Sequence, residues 1–237
     1  MTSSGAADDD AAALTLPEEL LLITLDPRRG KLLCRRRSLQ YAAAGAVLAE
    51  LEGRGHITEE RGRMRTVDSP DPVGPLLAPL LHSLGQPELN RRGISVKRWV
   101  RLHGRYAEVS HLDALVERGV LRREHRRVLG LFGYHRHFPG EPDLCATVRE
   151  DFAAAEAAGF PLLRSRQLAA LLSAIGLAGD LTGRGREGRS AMKALRRQQW
   201  TARAVRQNVK QDEPSGGDSG WGGDGDCGGG GCGGGGD

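Results

Sequence analysis

The chain has 237 residues, 39% hydrophobic and 4% aromatic, with 34 basic and 30 acidic side chains for a formal net charge of +4. That length suits one substantial core, no apolar run reaches the roughly 18 to 20 residues that cross a bilayer, and the acidic N-terminus offers no basic lead-in to a signal peptide. The spacing of Cys34, Cys145, Cys227 and Cys232 makes no secreted disulfide framework, so reduced thiols and a cytoplasmic location are expected.

Charge is unevenly placed. Residues 11–210 hold all 34 bases against 21 acids, a net of +13, because Asp8, Asp9, Asp10 and six acids from Asp212 onward lie at the ends. A field of that size points to an anionic partner, a lipid surface or nucleic acid. Thirty of the bases are Arg, a bias that GC-rich coding also produces.

Residues 1–13 and 211–237 are too poor in apolar side chains to offset their ordering entropy and are expected to be disordered, leaving a domain over 14–210. That domain opens with the leucine-rich segment Leu16 to Asp26, in which Glu18 and Glu19 suit a first-turn or capping role. Leu39, Ala42, Ala43, Ala46, Val47 and Leu51 predict a lean helix that stops at Gly53 and Gly55. His56 to Glu59 and Met64 to Val67 predict a hairpin around Arg61-Gly62, and Pro70, Pro72 and Pro75 limit the start of a helix over Leu76 to Leu84.

Ser110 with Asp113 gives a capping signal ahead of Leu112, Leu115 and Val116, with a stop at Gly119. A second β unit is expected from Val120 to Arg123 and Val128 to Phe132, turning at Glu124 to Arg127. Helices follow over Asp143 to Ala158, over Arg164 to Leu181 as the most buried, and over Arg189 to Val209 with Ala191, Leu195, Ala202, Val205 and Val209 inward. The fold class is mainly α: a central apolar helical bundle with amphipathic helices around it and one or two β-hairpins.

The order LPEELLLITL, a Gly-started segment, a small-residue helix ending in LEGRG, a hairpin, SPDPVG, LVERGVL with its hairpin and RQLAALLSAIGLAGDL resembles the Golgi phosphoprotein 3 family over roughly residues 14 to 208. The resemblance is to a divergent member of bacterial type. It implies a mostly helical, non-enzymatic peripheral membrane adaptor with a phosphatidylinositol 4-phosphate pocket. It also implies a hairpin that touches the bilayer and binding to cytosolic tails of membrane proteins. The family pocket uses a tryptophan and three arginines, and their counterparts here are Arg35, Ala44, Arg105 and Glu108, so one of the four is kept.

Arg28, Arg29, Lys31, Arg35, Arg36 and Arg37 crowd ten residues, and guanidinium forks suit phosphate. The expected headgroup residues are Arg35, Arg36, Arg37 and Arg105. The expected membrane-contacting hairpin residues are Leu131, Phe132, Tyr134 and Phe138, with Phe138 the best exposed, while Leu129 and Leu131 also suit simple packing onto the bundle. The location expected is the cytoplasmic face of a membrane, with an anionic phospholipid partner, tails of membrane proteins and a homo-oligomer among the partners, and no cofactor.

Other patterns carry less. Gly183-Arg184-Gly185-Arg186-Glu187-Gly188 matches G-x-G-x-x-G but follows an apolar helix instead of a strand, and reads as a connection between helices. His125, His135 and His137 lack ligand-spaced partners for a metal, and no nucleophile stands with a base. Nucleic acid is the alternative partner, through Arg189, Arg196, Arg197, Arg203 and Arg206, but no reader motif and few aromatics support it. Binding of acidic protein tails without lipid is a third reading.

Overall fold

The structure, a computed structural model, describes residues 14–85, 93–128 and 132–213. Nine helices form among them: α1 (Leu16–Ile23), α2 (Arg36–Gly53), α3 (Ala78–Leu84), α4 (Val96–Glu117), α5 (Leu144–Ala157), α6 (Leu163–Ala174), α7 (Ala178–Leu181), α8 (Gly185–Gln198) and α9 (Trp200–Asp212). Three small antiparallel sheets accompany them. They are β1 (Leu25–Asp26) with β2 (Lys31–Leu32); β3 (Ile57–Glu60), β4 (Arg63–Thr66) and β5 (Ile94–Ser95) in that order; and β6 (Leu121–Val128) with β7 (Phe132–Pro139). The mainly helical class with hairpin appendages is the expected one.

α1 begins at Thr15, whose backbone N–H and hydroxyl donate to Glu18 Oε2 at 2.7 and 2.9 Å. Pro17 fits the first turn, where its missing N–H costs nothing. Every residue of α1 except Glu19 is buried, as a helix apolar on all sides must be, and it touches α2, α4, α5 and α6. Glu50, near the end of α2, accepts from Leu16 N at 2.9 Å, Arg164 Nη1 at 3.0 Å and Arg54 Nε at 2.8 Å. Burial alone would raise its pKa; the Leu16 N–H and the two guanidinium groups bring it below the usual carboxylate value. One carboxylate thereby joins the starts of α1 and α6 to the end of α2.

α2 is buried without interruption from Tyr41 to Leu51. Its small residues let neighbours close in: a Cβ on Gly45 would lie 2.6 Å from Val205 Cγ2 of α9 and 2.9 Å from Leu171 Cδ2 of α6. Where α4 crosses, a Cβ on Gly104 would lie 2.8 Å from the backbone oxygen of Gln40. α6 is buried from Gln167 to its end, yet it shares the centre with α1 and α2.

Four expectations are corrected. Ser110 does not cap a helix; it lies within the 22-residue α4, and its hydroxyl donates to the Tyr106 carbonyl at 2.8 Å. A serine that satisfies itself on the preceding turn leaves the helix intact, and the inward residues Val100, Ala107, His111 and Leu115 carry it through. Glu124 to Arg127 are not a turn, because β6 runs on to Val128, pairing Glu124 with Arg136 and Arg127 with Gly133. The connection, including Leu129 and Leu131, lies outside the described residues.

The helix expected over Arg164 to Leu181 ends at Ala174, where Gly176 takes φ +91°. The last helix is two, broken at Gln199 with φ −84° and ψ 119°. Trp200 Nε1 then donates to Glu52 Oε1 at 2.7 Å and fixes the new direction. The Arg61-Gly62 turn stands as expected, both residues having positive φ, and Gly183 and Arg184 connect α7 to α8 with Gly185 to Gly188 as its first turn.

Replacing Gly104 by Val forces the α2 backbone away from α4, and overpacking of this kind costs about 1 to 3 kcal/mol. Gly53→Ala meets nothing within 4 Å and gains helix propensity of up to about 1 kcal/mol. Chemical denaturation should therefore move the midpoint down for G104V and leave it level or higher for G53A.

Candidate functional site: a basic edge around the start of α2

The edge is assembled from the β1–β2 turn, the N-terminus of α2, the first half of α4 and the β6–β7 hairpin. Asp26 Oδ1 accepts from the backbone N–H groups of Arg28 and Arg29 at 3.0 and 3.1 Å, so the turn holds its own shape. Arg136 Nη1 donates to the Arg29 carbonyl at 3.1 Å, and His137 N donates to the Gly30 carbonyl at 3.4 Å. These bonds seat the turn on β7.

The six clustered bases divide into two kinds. Arg36 Nε donates to Glu108 Oε1 at 2.9 Å, and Gln40 Nε2 donates to Oε2 at 2.9 Å. Arg37 Nε donates to Tyr41 Oη at 2.8 Å and to Asp212 Oδ2 at 3.3 Å; Tyr41 Oη itself donates to Asp212 Oδ2 at 2.5 Å, and Arg101 Nη2 donates to Asp212 Oδ1 at 3.2 Å. Arg29 approaches Asp26 at 3.9 Å. All six are exposed, but Arg28, Lys31 and Arg35 have no side-chain partner among the described residues. Arg105 is likewise exposed and unpartnered among them.

Asp212 and Glu213 were assigned by sequence to the acidic tail. They belong to the body instead, because α9 extends to Asp212 and Glu213 accepts from Arg206 at 3.4 Å. The hydrogen bond from Tyr41 keeps the Asp212 carboxyl below its usual pKa, and the guanidinium groups of Arg101 and Arg37 add to this.

Two clefts flank the start of α2. One of about 660 Å³ lies between Lys31, Arg36, Glu108, Asp113, Arg123 and His137. The other, of about 930 Å³, lies between Arg35, Arg37, Tyr41, Arg206, Asp212 and Glu213. Cys34 borders both, but burial and the nearby Glu108 push its thiol up to about 12, which disfavours the reactive thiolate.

The hairpin departs from expectation. Phe138 pairs with Arg122 at the base of the hairpin, away from its tip. It is half-buried, with its ring so close to Gly30 that a Cβ there would lie 2.8 Å from Cζ. Gly30 at φ +61° admits the ring, and Phe138 is thereby removed from the list of best-exposed residues. Tyr134 is exposed, with the Arg136 guanidinium carbon 5.4 Å from its ring centroid. Leu131 and the Phe132 side chain lie outside the described residues.

The Arg stripe behind the nucleic-acid alternative is also interrupted. Its members lie on two helices, Arg206 pairs with Glu213, and Arg196 and Arg203 donate to the carbonyls of Ser173 and Arg197.

The family model described as Golgi phosphoprotein 3 (GPP34) matches residues 16–211, from the first residue of α1 almost to the end of α9. The chain belongs to the Golgi phosphoprotein 3 family. Comparison with curated proteins returns no match. In this family member no helix among the described residues is long and apolar enough to cross a membrane. The Glu108 carboxylate is occupied by Arg36 and Gln40. Sequence reasoning did not find the Tyr41–Asp212 contact, because 171 residues separate the partners and no local pattern links them.

His137 has a pKa lowered to about 4 by burial first and then by Arg123, His135 and Arg36, with Asp113 opposing. The unfolded chain takes up this proton near 6.5, so between pH 6.5 and 4 it binds more protons than the native state, and stability falls as pH falls through that window. Below about 4 this loss is complete. His137→Gln should flatten the dependence of the denaturation midpoint on pH in that interval.

Proposed function

We propose that the protein is a peripheral membrane adaptor that binds anionic phospholipid headgroups through the edge formed by Arg28, Lys31, Arg35 and Arg105. Membership of a family of non-catalytic adaptors supports this reading. The observation that carries it is the division of the bases: this set has no acid partner among the described residues, whereas Arg36 and Arg37, though also exposed, are paired with Glu108 and Asp212. A phosphate contact made by Arg35 or Arg105 breaks no existing bond, and one made by Arg36 must compete with a nearly buried carboxylate.

Glu108 in the family pocket favours general attraction to an anionic leaflet over a tight fit to phosphatidylinositol 4-phosphate. Each base near such a leaflet contributes about 1 kcal/mol, screened by salt. The cytoplasmic face of a membrane is the corresponding location, because anionic lipids concentrate there. Membrane-protein tails remain the family-implied cargo.

Sedimentation with vesicles tests the proposal. Binding should rise with phosphatidylserine or phosphatidylinositol 4-phosphate and fall with salt. Arg35→Ala and Arg105→Ala should each weaken it by about 1 kcal/mol, and Arg37→Ala should weaken it less. Equal binding to pure phosphatidylcholine removes the electrostatic basis, and a larger loss from Arg37→Ala than from Arg35→Ala relocates the contact.

A further inference from the structure

An adaptor held by charge alone is readily released by salt, and Phe138 does not supply the apolar contact. Besides the less exposed Leu33, Val67 and Tyr134, the described surface offers two exposed apolar pairs. Leu102 and Tyr106 on α4 are 66% and 49% exposed, and Leu162 and Leu163 at the start of α6 are 68% and 55% exposed. Their surroundings separate them.

Beside Leu162 and Leu163, Arg164 is bound to Glu19 and Glu50, and Arg166 donates to the carbonyls of Phe160 and Pro161. Both bases that follow the pair in sequence are thus engaged within the body. Between Val96 and Ala107, α4 carries Lys97, Arg98, Arg101 and Arg105 and no acid. Helical spacing sets Arg98, Leu102, Arg105 and Tyr106 on one face, while Trp99, Val100, Gly104 and Ala107 face the core. Of the bases on that face, Arg98 and Arg105 are exposed and have no partner among the described residues.

The ridge also adjoins the proposed headgroup edge. Gly104 rests against the Gln40 backbone, and Arg101 shares Asp212 with Arg37. Arginine flanking an aliphatic and a tyrosine suits the boundary between headgroups and acyl chains, where the ring and the guanidinium stems bury and the charged ends stay among phosphates. A second copy of the chain fits poorly: a self-complementary contact would bring Arg98 and Arg105 against their own counterparts.

We infer that the α4 ridge formed by Leu102 and Tyr106, flanked by Arg98 and Arg105, is the surface that enters the interfacial layer of an anionic bilayer. This rests on the membrane reading above and deepens it by naming the apolar anchor.

The test uses the full chain and phosphatidylcholine vesicles with and without phosphatidylserine. The double substitution L102S/Y106S should weaken binding to the anionic vesicles about tenfold and leave the salt dependence unchanged. R98A/R105A should reduce the salt dependence. Tyr106→Trp should be quenched by brominated phospholipid in the anionic vesicles, and Leu162→Trp should add no quenching to that of the wild type.

If wild type binds, Arg35→Ala weakens it and L102S/Y106S binds unchanged, the ridge inference fails while the headgroup reading stands. If wild type does not bind anionic vesicles, both fail. If L102S/Y106S alters self-association by sedimentation but keeps vesicle affinity, the ridge is an interface between copies and the lipid assignment is overturned.

Discussion

Close approach to α2 is the constraint on which the rest depends. Ala42, Ala43, Ala44, Gly45, Ala46 and Ala49 give the helix a thin surface, and Gly104 gives α4 a matching gap at Gln40. Dense contact of this kind supplies dispersion and excludes water. It also decides electrostatics, because only at this separation can Arg36 reach Glu108 on α4 and Arg37 reach Asp212 at the end of α9. The packing of the core thus determines which surface charges are available.

That coupling changes what a run of arginines means. Six bases in ten residues form a strong local field, yet the attraction available to a partner depends on which of them already have acids. Glu108 is 1% exposed on its side chain, and leaving such a carboxylate without Arg36 and Gln40 would carry a desolvation cost. Arg36 therefore serves the fold first. Arg35, the N-cap residue of α2, and Arg105 on α4 are exposed and have no side-chain partner among the described residues. The proposed headgroup edge is smaller than the sequence cluster and extends onto α4, about 70 residues further along the chain.

The hairpin illustrates a related competition. Phe138 has the sequence context of a membrane-facing aromatic, next to Pro139 and among Arg and His. Gly30, 108 positions earlier, leaves a space above the β1–β2 turn that an aromatic ring fills, and burying the ring there removes apolar area from water. The same packing, with Arg136 and His137 bonded to the turn carbonyls, fastens the base of the hairpin to the body. Apolar exposure shifts to α4, where continuous helix leaves Leu102 and Tyr106 facing outward because Trp99, Val100, Gly104 and Ala107 take the inward positions.

Local chemistry was enough to read the helical class, the first-turn or capping role of Glu18, the small-residue helix, the Arg61-Gly62 hairpin and the family to which the order of parts belongs. Each rests on neighbours within a turn or two, where spacing and caps act directly. The length of β6, the break at Gln199, the passage of α4 through Ser110 and the capture of Arg36, Arg37 and Phe138 were decided by the tertiary structure. Those outcomes depend on partners brought together from distant parts of the chain, and a contact between Tyr41 and Asp212 exists only once α2 and α9 have packed.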